Sequence, residues 1–179
     1  MLESGFVQQA AQRGHQLTFI AEDLPRFQAD QPKLLKALSL LLDNAIRFSQ
    51  EGATIEVSLR GQGGFIHMEV RDNGPGLTPS EVGAAEKLFR QLDGTSTRST
   101  EGLGIGIPLA RELVILHGGE LFLKSEPGKG TLAGFSLPVD VRSQAFSNSK
   151  PTKKYATRKN MPGMNGTNLS GFGRFLSVG

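Results

Sequence analysis

The order of periodic segments along the chain constrains its fold more than any other feature. Residues 31–49 repeat apolar side chains every three or four positions, which predicts an amphipathic helix that begins after Asp30, with Pro32 in its first turn. Residues 53–72 instead alternate apolar and polar side chains on either side of a glycine pair, which predicts a β-hairpin. Because helices and strands are not regularly interleaved, we expect an α+β two-layer sandwich and not a doubly wound α/β sheet.

The rest of the chain divides into three regions. Residues 1–14 are typical of a helix end or lead-in, and the periodicity disappears after Val139. The polar residues 140–179 are therefore predicted to be a tail or linker. Residues 15–139 form the predicted domain, which contains the elements above and, in addition, a strand over 15–23, a short helix over 79–92, a polar loop over 93–102, a helix from Gly106 to a cap at Gly118-Gly119, and a second hairpin over 120–139.

Composition excludes several classes of function. The 179 residues contain no cysteine, so disulfides and thiolate metal sites are absent. No apolar run approaches the roughly 20 residues that cross a bilayer, and the N-terminus lacks a signal-peptide pattern, which predicts a cytoplasmic protein. Residues 1–138 contain 13 Lys/Arg and 16 Asp/Glu, a net charge of −3, whereas residues 139–179 contain 7 Lys/Arg and one acid, a net charge of +6. The basic charge belongs to the tail, so we expect no specific nucleic-acid binding by the domain.

Three polar and glycine-rich segments point to a nucleotide. Asn44 lies on the first long helix, Asp72 ends the hairpin and is followed by "NGPG", and "GLGIG" (102–106) opens a helix. Glycines before a helix N-terminus suit phosphate, an asparagine oxygen suits Mg²⁺, and an acid beside glycines can accept a hydrogen bond from a base amino group. Each segment alone also fits a plain turn or a solvated helix residue. The Rossmann and P-loop spacings are both absent.

In combination, the motifs resemble a known family. The segments "LSLLLDNAIRFS", "VRDNGPGL", "KLFRQL", "GLGIGIPLA" and "SEPGKGTLAGFSLP" resemble the N, G1, F, G2 and terminal glycine motifs of the ATP-binding domain of sensor histidine kinases. That family belongs to the gyrase, Hsp90, histidine kinase and MutL superfamily. The resemblance covers about residues 15–139. It implies a sandwich of the histidine kinase (Bergerat) type, with a mixed, mostly antiparallel sheet.

The resemblance implies a role for each matching residue. Asp72 would receive the adenine amino group, and Asn44 would coordinate Mg²⁺. Phe89 and Leu92 would anchor an ATP lid over residues 93–102. The remaining residues implied to bind ATP are Arg47 near the phosphates, Gly74, Gly76 and Leu77 beside the base, Gly102, Leu103, Gly104, Ile105 and Gly106 around the phosphates, and Thr131 in the adenine-side network.

Two features depart from the family pattern. Leu40 stands one helical turn before Asn44, where the family often has a polar residue, so a carboxylate base for ATP hydrolysis is absent there. None of His15, His67 and His117 lies in a phosphoacceptor motif, and all three are predicted to be structural. We therefore expect a catalytic domain without a nucleophile of its own, separated from its dimerisation domain.

The function implied is a protein-histidine kinase. The domain would bind Mg-ATP and donate the γ-phosphoryl group to a histidine on a separate dimerisation domain, for relay to a response regulator. The isolated domain is expected to be a monomer, and membrane anchoring of the full-length protein stays open. Two alternatives also stay open: an anti-sigma-factor-type serine kinase, and a non-enzymatic nucleotide-binding or docking module.

Overall fold

A computed structural model of the protein describes residues 2–22, 24, 27, 29–90 and 106–139, with the backbone alone for residues 2–4 and 86–90. The predicted lid over 93–102, Leu92 and the tail after Val139 lie outside these residues. Within the described part of the chain the elements are α1 (Leu2–Gln12), β1 (Gln16–Ala21), α2 (Gln31–Phe48), β2 (Thr54–Gln62), β3 (Phe65–Asp72), α3 (Pro79–Arg90), α4 (Gly106–Ile115), β4 (Glu120–Glu126) and β5 (Gly130–Pro138).

The five strands form one mixed sheet in the order β1-β2-β3-β5-β4. β1 runs parallel to β2, and the other three pairings are antiparallel. Parallel neighbours cannot be joined by a tight turn, so α2 makes the crossover between β1 and β2. The mixed, mostly antiparallel sheet confirms the predicted fold class.

Helices cover one face of this sheet. α2 packs against α4 and against β3, which lies in the middle of the sheet. The core is formed by the apolar stripe of α2 and the inward side chains of the strands, and its fully buried members include Leu34, Leu41, Ile46, Ile55, Val57, Leu59, Ile66, Met68, Val70, Val114, Phe135 and Leu137. One helical layer on one sheet is the predicted two-layer sandwich.

The start of α2 is tied to the end of α4. The Asp30 side chain caps α2 by accepting a hydrogen bond from the Lys33 N–H at 3.2 Å, as the sequence predicts. The Asp30 N–H donates to His117 Nε2 at 3.1 Å, and His117 Nδ1 donates to the Leu113 carbonyl at 2.7 Å. His117 therefore has a structural role, as predicted.

The predicted hairpins and helices are also confirmed. Gly63 and Gly64 form the turn between β2 and β3 with φ of 61° and 81°, and Gly118 follows α4 with φ of 69°. His15, the residue that precedes β1, is buried, and its Nε2 donates to the Ile46 carbonyl at 3.1 Å. Among the described residues, no helix is long and apolar enough to span a membrane.

Candidate nucleotide-binding site

Asp72 lies at the last position of β3, opposite Thr131 of β5. Its Oδ1 accepts a hydrogen bond from the Gly74 N–H at 2.8 Å. The next residue, Asn73, fixes the loop to β2, because its Oδ1 accepts from the Thr54 N–H at 2.8 Å and its own N–H donates to the Thr54 carbonyl at 3.2 Å. The acid is thus held at the end of the central strand β3 by backbone groups on both sides.

Two glycines with positive φ bring the Asp72 loop and the β4–β5 turn into backbone contact. Gly76 has a φ of 67°, and a Cβ on it would lie 2.0 Å from the Glu126 carbonyl oxygen. Gly130 has a φ of 81°, and its Cβ would lie 2.0 Å from the Asp72 carbonyl oxygen. A side chain fits at neither position. The family resemblance implies that Gly76 keeps the loop flat against a base. The structure adds a second reason for a glycine here, because a side chain would collide with the backbone of Glu126.

A hydroxyl pair connects the same loop to the sheet. Ser125 Oγ accepts from the Leu77 N–H at 2.8 Å and donates to the Gly130 carbonyl at 2.9 Å. Since its only proton is used there, the contact of 2.9 Å between Ser125 Oγ and Thr131 Oγ1 has Thr131 as the donor. Sequence reasoning missed Ser125; the signal was the tight "PGKG" turn, which pairs position 125 with position 131.

The Asp72 carboxyl is half-buried, and its environment acts on its charge in two directions. Burial raises the pKa of Asp72, whereas the N–H groups of Gly74 and Thr131 and the hydroxyl of Ser49 lower it, and the balance leaves the pKa above the ordinary value. Desolvation therefore disfavours the ionised form of Asp72, and the neighbouring donors favour it.

A second group of predicted residues lies on α2. Asn44 is half-buried, and among the described residues its side chain makes no hydrogen bond. Arg47 is exposed, with its guanidinium 5.4 Å from the centroid of the Phe48 ring. This end of α2 is supported from the lead-in, because Arg13 Nη1 donates to the Arg47 carbonyl at 2.9 Å and to the Ile46 carbonyl at 3.3 Å. An amide and a guanidinium are thus presented by a helix whose Ile46 and Arg47 carbonyls accept hydrogen bonds from the lead-in.

Leu40 connects this helix to α4. A Cβ on Gly106 would lie 3.5 Å from Leu40 Cδ2, and Leu40 also packs against the core. The leucine therefore fills the space beneath the first turn of α4. Of the predicted phosphate segment only Gly106 is described; Gly102, Leu103, Gly104 and Ile105 lie outside the described residues, and of Phe89 only the backbone is described.

The structure thus brings the predicted residues together in two neighbouring groups. The first, which we call the base side, consists of Asp72, Gly74, Gly76, Leu77 and Thr131. The second, the phosphate side, consists of Asn44, Arg47 and Gly106. Ser49, which sequence reasoning also missed, lies between them. It follows α2, and a Cβ on Gly74 would lie 3.3 Å from its Oγ. Asn44 lies five residues before it, about 7.5 Å along the helix axis.

The described side chains limit how a metal could be bound. Over the described ranges, no group of three or more His, Cys, Asp or Glu could hold a metal ion. A cation at this site would need the Asn44 oxygen together with oxygens of a ligand, which is the arrangement that Mg²⁺ adopts with nucleotides. The residues present therefore fit a magnesium nucleotide and not a protein-only metal site.

Comparison with known proteins identifies the family. Residues 29–141 match the model of the histidine kinase-, DNA gyrase B-, and HSP90-like ATPases. The chain belongs to this ATPase family. Membership implies ATP binding, and it confirms the resemblance that the N, G1 and G2 motifs indicate.

The relatives in this family are sensor kinases. The chain is 36% identical over 120 residues to the alginate biosynthesis sensor protein KinB of Pseudomonas aeruginosa, covering 67% of this chain and 20% of KinB. It is 36% identical over 131 residues to the adaptive-response sensory kinase SasA of Prochlorococcus marinus, covering 72% of this chain and 34% of SasA. The chain thus matches the ATPase domain of sensor histidine kinases and spans only about a fifth to a third of these relatives.

Solved structures confirm the fold. The mycobacterial sensor histidine kinase MprB superposes with a TM-score of 0.60 at 23% identity, covering 77% of this chain and 93% of the other. The catalytic domain of histidine kinase ThkA superposes with a TM-score of 0.62 at 22% identity, covering 79% and 90%. Full-length ShkA, solved in complex with AMPPNP, gives a TM-score of 0.65 at 24% identity, covering 77% and 28%. All three share the α+β sandwich described above.

Proposed function

We propose that this chain is the catalytic domain of a two-component sensor kinase, which binds Mg-ATP and donates the γ-phosphoryl group to a histidine on a separate dimerisation domain. Asp72 carries the proposal. Its carboxyl is held at the end of β3 by the Gly74 N–H, with loop and sheet backbone packed around it. A half-buried carboxylate fixed in this way is suited to accept a hydrogen bond from an amino group on a flat base.

The phosphates would lie against α2 and the start of α4. Arg47 supplies a positive charge, and Gly106 begins α4, whose first N–H groups have no helical partners. Asn44 would hold Mg²⁺ through its side-chain oxygen, and the ion would neutralise charge on the phosphates. The roles of Gly102, Leu103, Gly104 and Ile105 in this phosphate site remain predictions, as does the anchoring of a lid by Phe89 and Leu92.

The chemical step fits a nucleophile that comes from outside the chain. The imidazole nitrogen of a partner histidine would attack the γ-phosphorus, the bond from that phosphorus to the β–γ bridging oxygen would break, and ADP would leave. An imidazole needs no carboxylate base to become a nucleophile, whereas water does. Leu40 presents methyl groups one turn before Asn44, so transfer to a protein histidine is favoured over hydrolysis.

The domain organisation is part of the same proposal. Residues 15–139 would form the ATPase domain, 1–14 would lead in from the dimerisation domain, and 140–179 would be a basic tail or linker. The lead-in is packed on the domain in the described structure, because Gln9 Nε2 donates to Asp43 Oδ1 at 3.2 Å. The proposed partners are the dimerisation domain and a response regulator, and the proposed location is the cytoplasm.

Calorimetry tests the nucleotide site first. ATP and ADP would be titrated into the chain with and without Mg²⁺, beside the Asp72→Asn and Asn44→Ala variants. We expect binding by the unmodified chain, loss of binding in Asp72→Asn, and loss of the Mg²⁺ dependence in Asn44→Ala. An unmodified chain that binds neither nucleotide would refute the proposal and leave the docking module as the better explanation.

Phosphotransfer tests the reaction itself. The chain would be incubated with ATP labelled at the γ-phosphate and with the dimerisation domain of its own full-length kinase. Label on a histidine, which is lost in acid, is expected. Label on serine, which survives acid, would instead support the anti-sigma-factor-type alternative.

A further inference from the structure

Ser49 carries a buried hydroxyl that the proposed function does not use. The residue is 7% exposed, and its Oγ makes no hydrogen bond to any described group. Buried hydroxyls usually have a hydrogen-bond partner, because leaving water without one is costly. An unpaired hydroxyl inside a well-packed domain therefore needs an explanation.

The backbone at the end of α2 directs this hydroxyl toward the base side. Ser49 caps the helix, with its N–H bonded to the Ala45 carbonyl at 3.1 Å, and leaves it in an extended conformation with φ of −71° and ψ of 151°. A Cβ placed on Gly74 would lie 3.3 Å from both Ser49 Cα and Ser49 Oγ, and 2.8 Å from Asp72 Oδ1. The hydroxyl and the carboxylate thus border the same small space, which only a glycine leaves open.

From this junction we propose that Ser49 is a positioning residue of the base side: its hydroxyl donates to the Asp72 carboxylate when a base is bound and so selects a 6-amino purine over a 6-keto purine. The inference rests on the proposed ATP site. It adds a specificity determinant directly after α2, the helix to which the proposed function assigns only phosphate and metal binding.

The hydrogen-bond donors around Asp72 explain why it would select an amino group at position 6 of the purine. The Gly74 N–H already donates to Oδ1, and the Thr131 N–H also supports the charge. A further O–H donor keeps the carboxylate ionised against the burial that raises its pKa. An ionised carboxylate can only accept, so it attracts the amino group of adenine and repels the carbonyl oxygen of a 6-keto base.

The orientation of Ser49 is consistent with a contact that forms on binding. The hydroxyl lies close enough to lower the pKa of Asp72, yet it does not reach hydrogen-bond geometry with a described residue. Hydrogen bonds in binding sites are often long or misaligned without ligand and tighten when the ligand is present. A rotation about one side-chain bond would be enough to complete this one.

The test compares nucleotides that differ at position 6 of the purine; the 6-keto base also carries a proton on N1, so purine riboside triphosphate, which lacks both changes, is the closer match to ATP. ATP, purine riboside triphosphate, which has hydrogen in place of the amino group, and inosine triphosphate, which has a keto oxygen, would be titrated into the unmodified chain and Ser49→Ala. We expect Ser49→Ala to bind ATP roughly tenfold more weakly, about the effect of one charge-assisted hydrogen bond. Binding of purine riboside triphosphate should change less than about twofold, because the group that Asp72 reads is absent.

Two further variants keep the test decisive. Ser58 is also a buried serine, 3% exposed, but its Oγ donates to Glu69 Oε2 on the neighbouring strand at 3.4 Å, so Ser58→Ala should leave the preference for ATP unchanged. Ser49→Cys keeps nearly the same size with a weak donor and should show the same selective loss if Ser49→Ala does not fold. Circular dichroism and thermal unfolding would check the fold of each variant.

The outcomes separate this inference from the function on which it rests. If Ser49→Ala bound ATP and purine riboside triphosphate more weakly by the same factor, Ser49 would have a structural role and the inference would be overturned. The same holds if Ser49→Ala kept the unmodified chain's preference for ATP over the other two nucleotides. In both cases the ATP site itself would stand. Failure of the unmodified chain to bind any of the three nucleotides would overturn the proposed function and this inference with it.

Discussion

The base side and the phosphate side of the candidate site are built in different ways. On the base side, the backbones of the Asp72 loop and of the β4–β5 turn pack so closely that a Cβ on Gly130 would lie only 2.0 Å from the Asp72 carbonyl oxygen. On the phosphate side, Asn44 and Arg47 project from one helix and make no hydrogen bond through their side chains to the rest of the described chain. One side is fixed by main-chain packing, and the other by side chains on a supported helix.

Because of this difference, a substitution should affect fold stability and nucleotide binding differently on the two sides. Substitution of a glycine in these backbone contacts disturbs the packing of the Asp72 loop against the β4–β5 turn, so stability and binding should fall together. A change on the phosphate side removes a ligand-directed group that few protein contacts depend on, so binding should fall alone. The predictions below test this division, from the largest expected effect to the smallest.

Gly130→Ala should be the most damaging substitution. The new Cβ would meet the Asp72 carbonyl oxygen and the Asn73 Cα in a residue that already has a φ of 81°. Strain and overpacking together should lower the free energy of unfolding by on the order of 3–5 kcal/mol. Urea unfolding followed by circular dichroism would measure the change.

Gly128→Ala is the matched control for this prediction. Gly128 lies in the same turn with a φ of 75°, but a Cβ on it would have no atom within 4 Å. Its replacement should therefore cost only the left-handed backbone penalty, about 1–2 kcal/mol. Equal losses at the two glycines would show that backbone contact does not define the base side.

Asp72→Asn should abolish most of the affinity for ATP. The amide replaces a charged acceptor at the end of β3 and presents an NH₂ group that can oppose the amino group of adenine. Loss of a hydrogen bond to a charged group, at about 1.5–3 kcal/mol, corresponds to roughly 10- to 100-fold weaker binding. Calorimetry with ATP would detect it, and an unchanged affinity would remove Asp72 from the site.

The same substitution should raise stability in the absence of nucleotide. Burial leaves the folded-state pKa of Asp72 above its ordinary value of 3.8. A raised folded-state pKa means that the fold binds this proton more tightly than the unfolded chain, so stability falls as the pH rises from below the ordinary value through the raised one. At pH 7 the ionised carboxylate therefore destabilises the ligand-free fold, and Asn relieves this.

Thermal unfolding at several pH values would measure this effect. The unfolding midpoint of Asp72→Asn should exceed that of the unmodified chain at pH 7, and the two should converge in acid, where Asp72 is protonated in both states. A midpoint below that of the unmodified chain at pH 7 would mean that the hydrogen bonds of Asp72 outweigh its burial. The ionised Asp72 carboxylate would then stabilise the ligand-free fold and not destabilise it.

The sequence predicts local elements of this fold better than their arrangement. Apolar spacing, Asp30 and the glycine pair at 63–64 were enough for α2 and the β2–β3 hairpin, because these signals act over a few residues. Neither the placement of β5 between β3 and β4 nor the parallel pairing of β1 with β2 can be deduced from such patterns. Strand order depends on which faces pack best once the chain is compact.

The candidate site shows the same limit. Motif resemblance selected Asp72, Gly76 and Thr131, and the structure brings them together where the end of β3 meets the start of β5. It missed Ser49 and Ser125, because their contacts join elements that are far apart in sequence or lie across a turn. Both serines lie at the ends of quoted motif segments, Ser49 in "LSLLLDNAIRFS" and Ser125 in "SEPGKGTLAGFSLP", but the segments alone do not show which groups the two hydroxyls face.

Asn44→Ala and Asn73→Ala provide the finest test of the division between the two sides. Asn44 is an asparagine of the phosphate side whose amide has no partner in the described chain, so its removal should change the free energy of unfolding by less than about 0.5 kcal/mol. Its loss should remove most of the Mg²⁺ dependence of ATP binding: the ratio of the affinities with and without Mg²⁺ should fall roughly tenfold, since one oxygen ligand is removed. Titrations over a Mg²⁺ series would show this.

Asn73, which lies between Asp72 and Gly74 of the base side but contacts β2, should show the opposite pattern. Its Oδ1 accepts from the Thr54 N–H at 2.8 Å, so Asn73→Ala should lower the free energy of unfolding by about 1 kcal/mol and leave the Mg²⁺ dependence unchanged. Two substitutions of the same residue type would then separate stability from metal dependence. If Asn44→Ala instead destabilised the fold and Asn73→Ala uncoupled Mg²⁺, the phosphate side would have to be moved from α2 to the loop that follows β3.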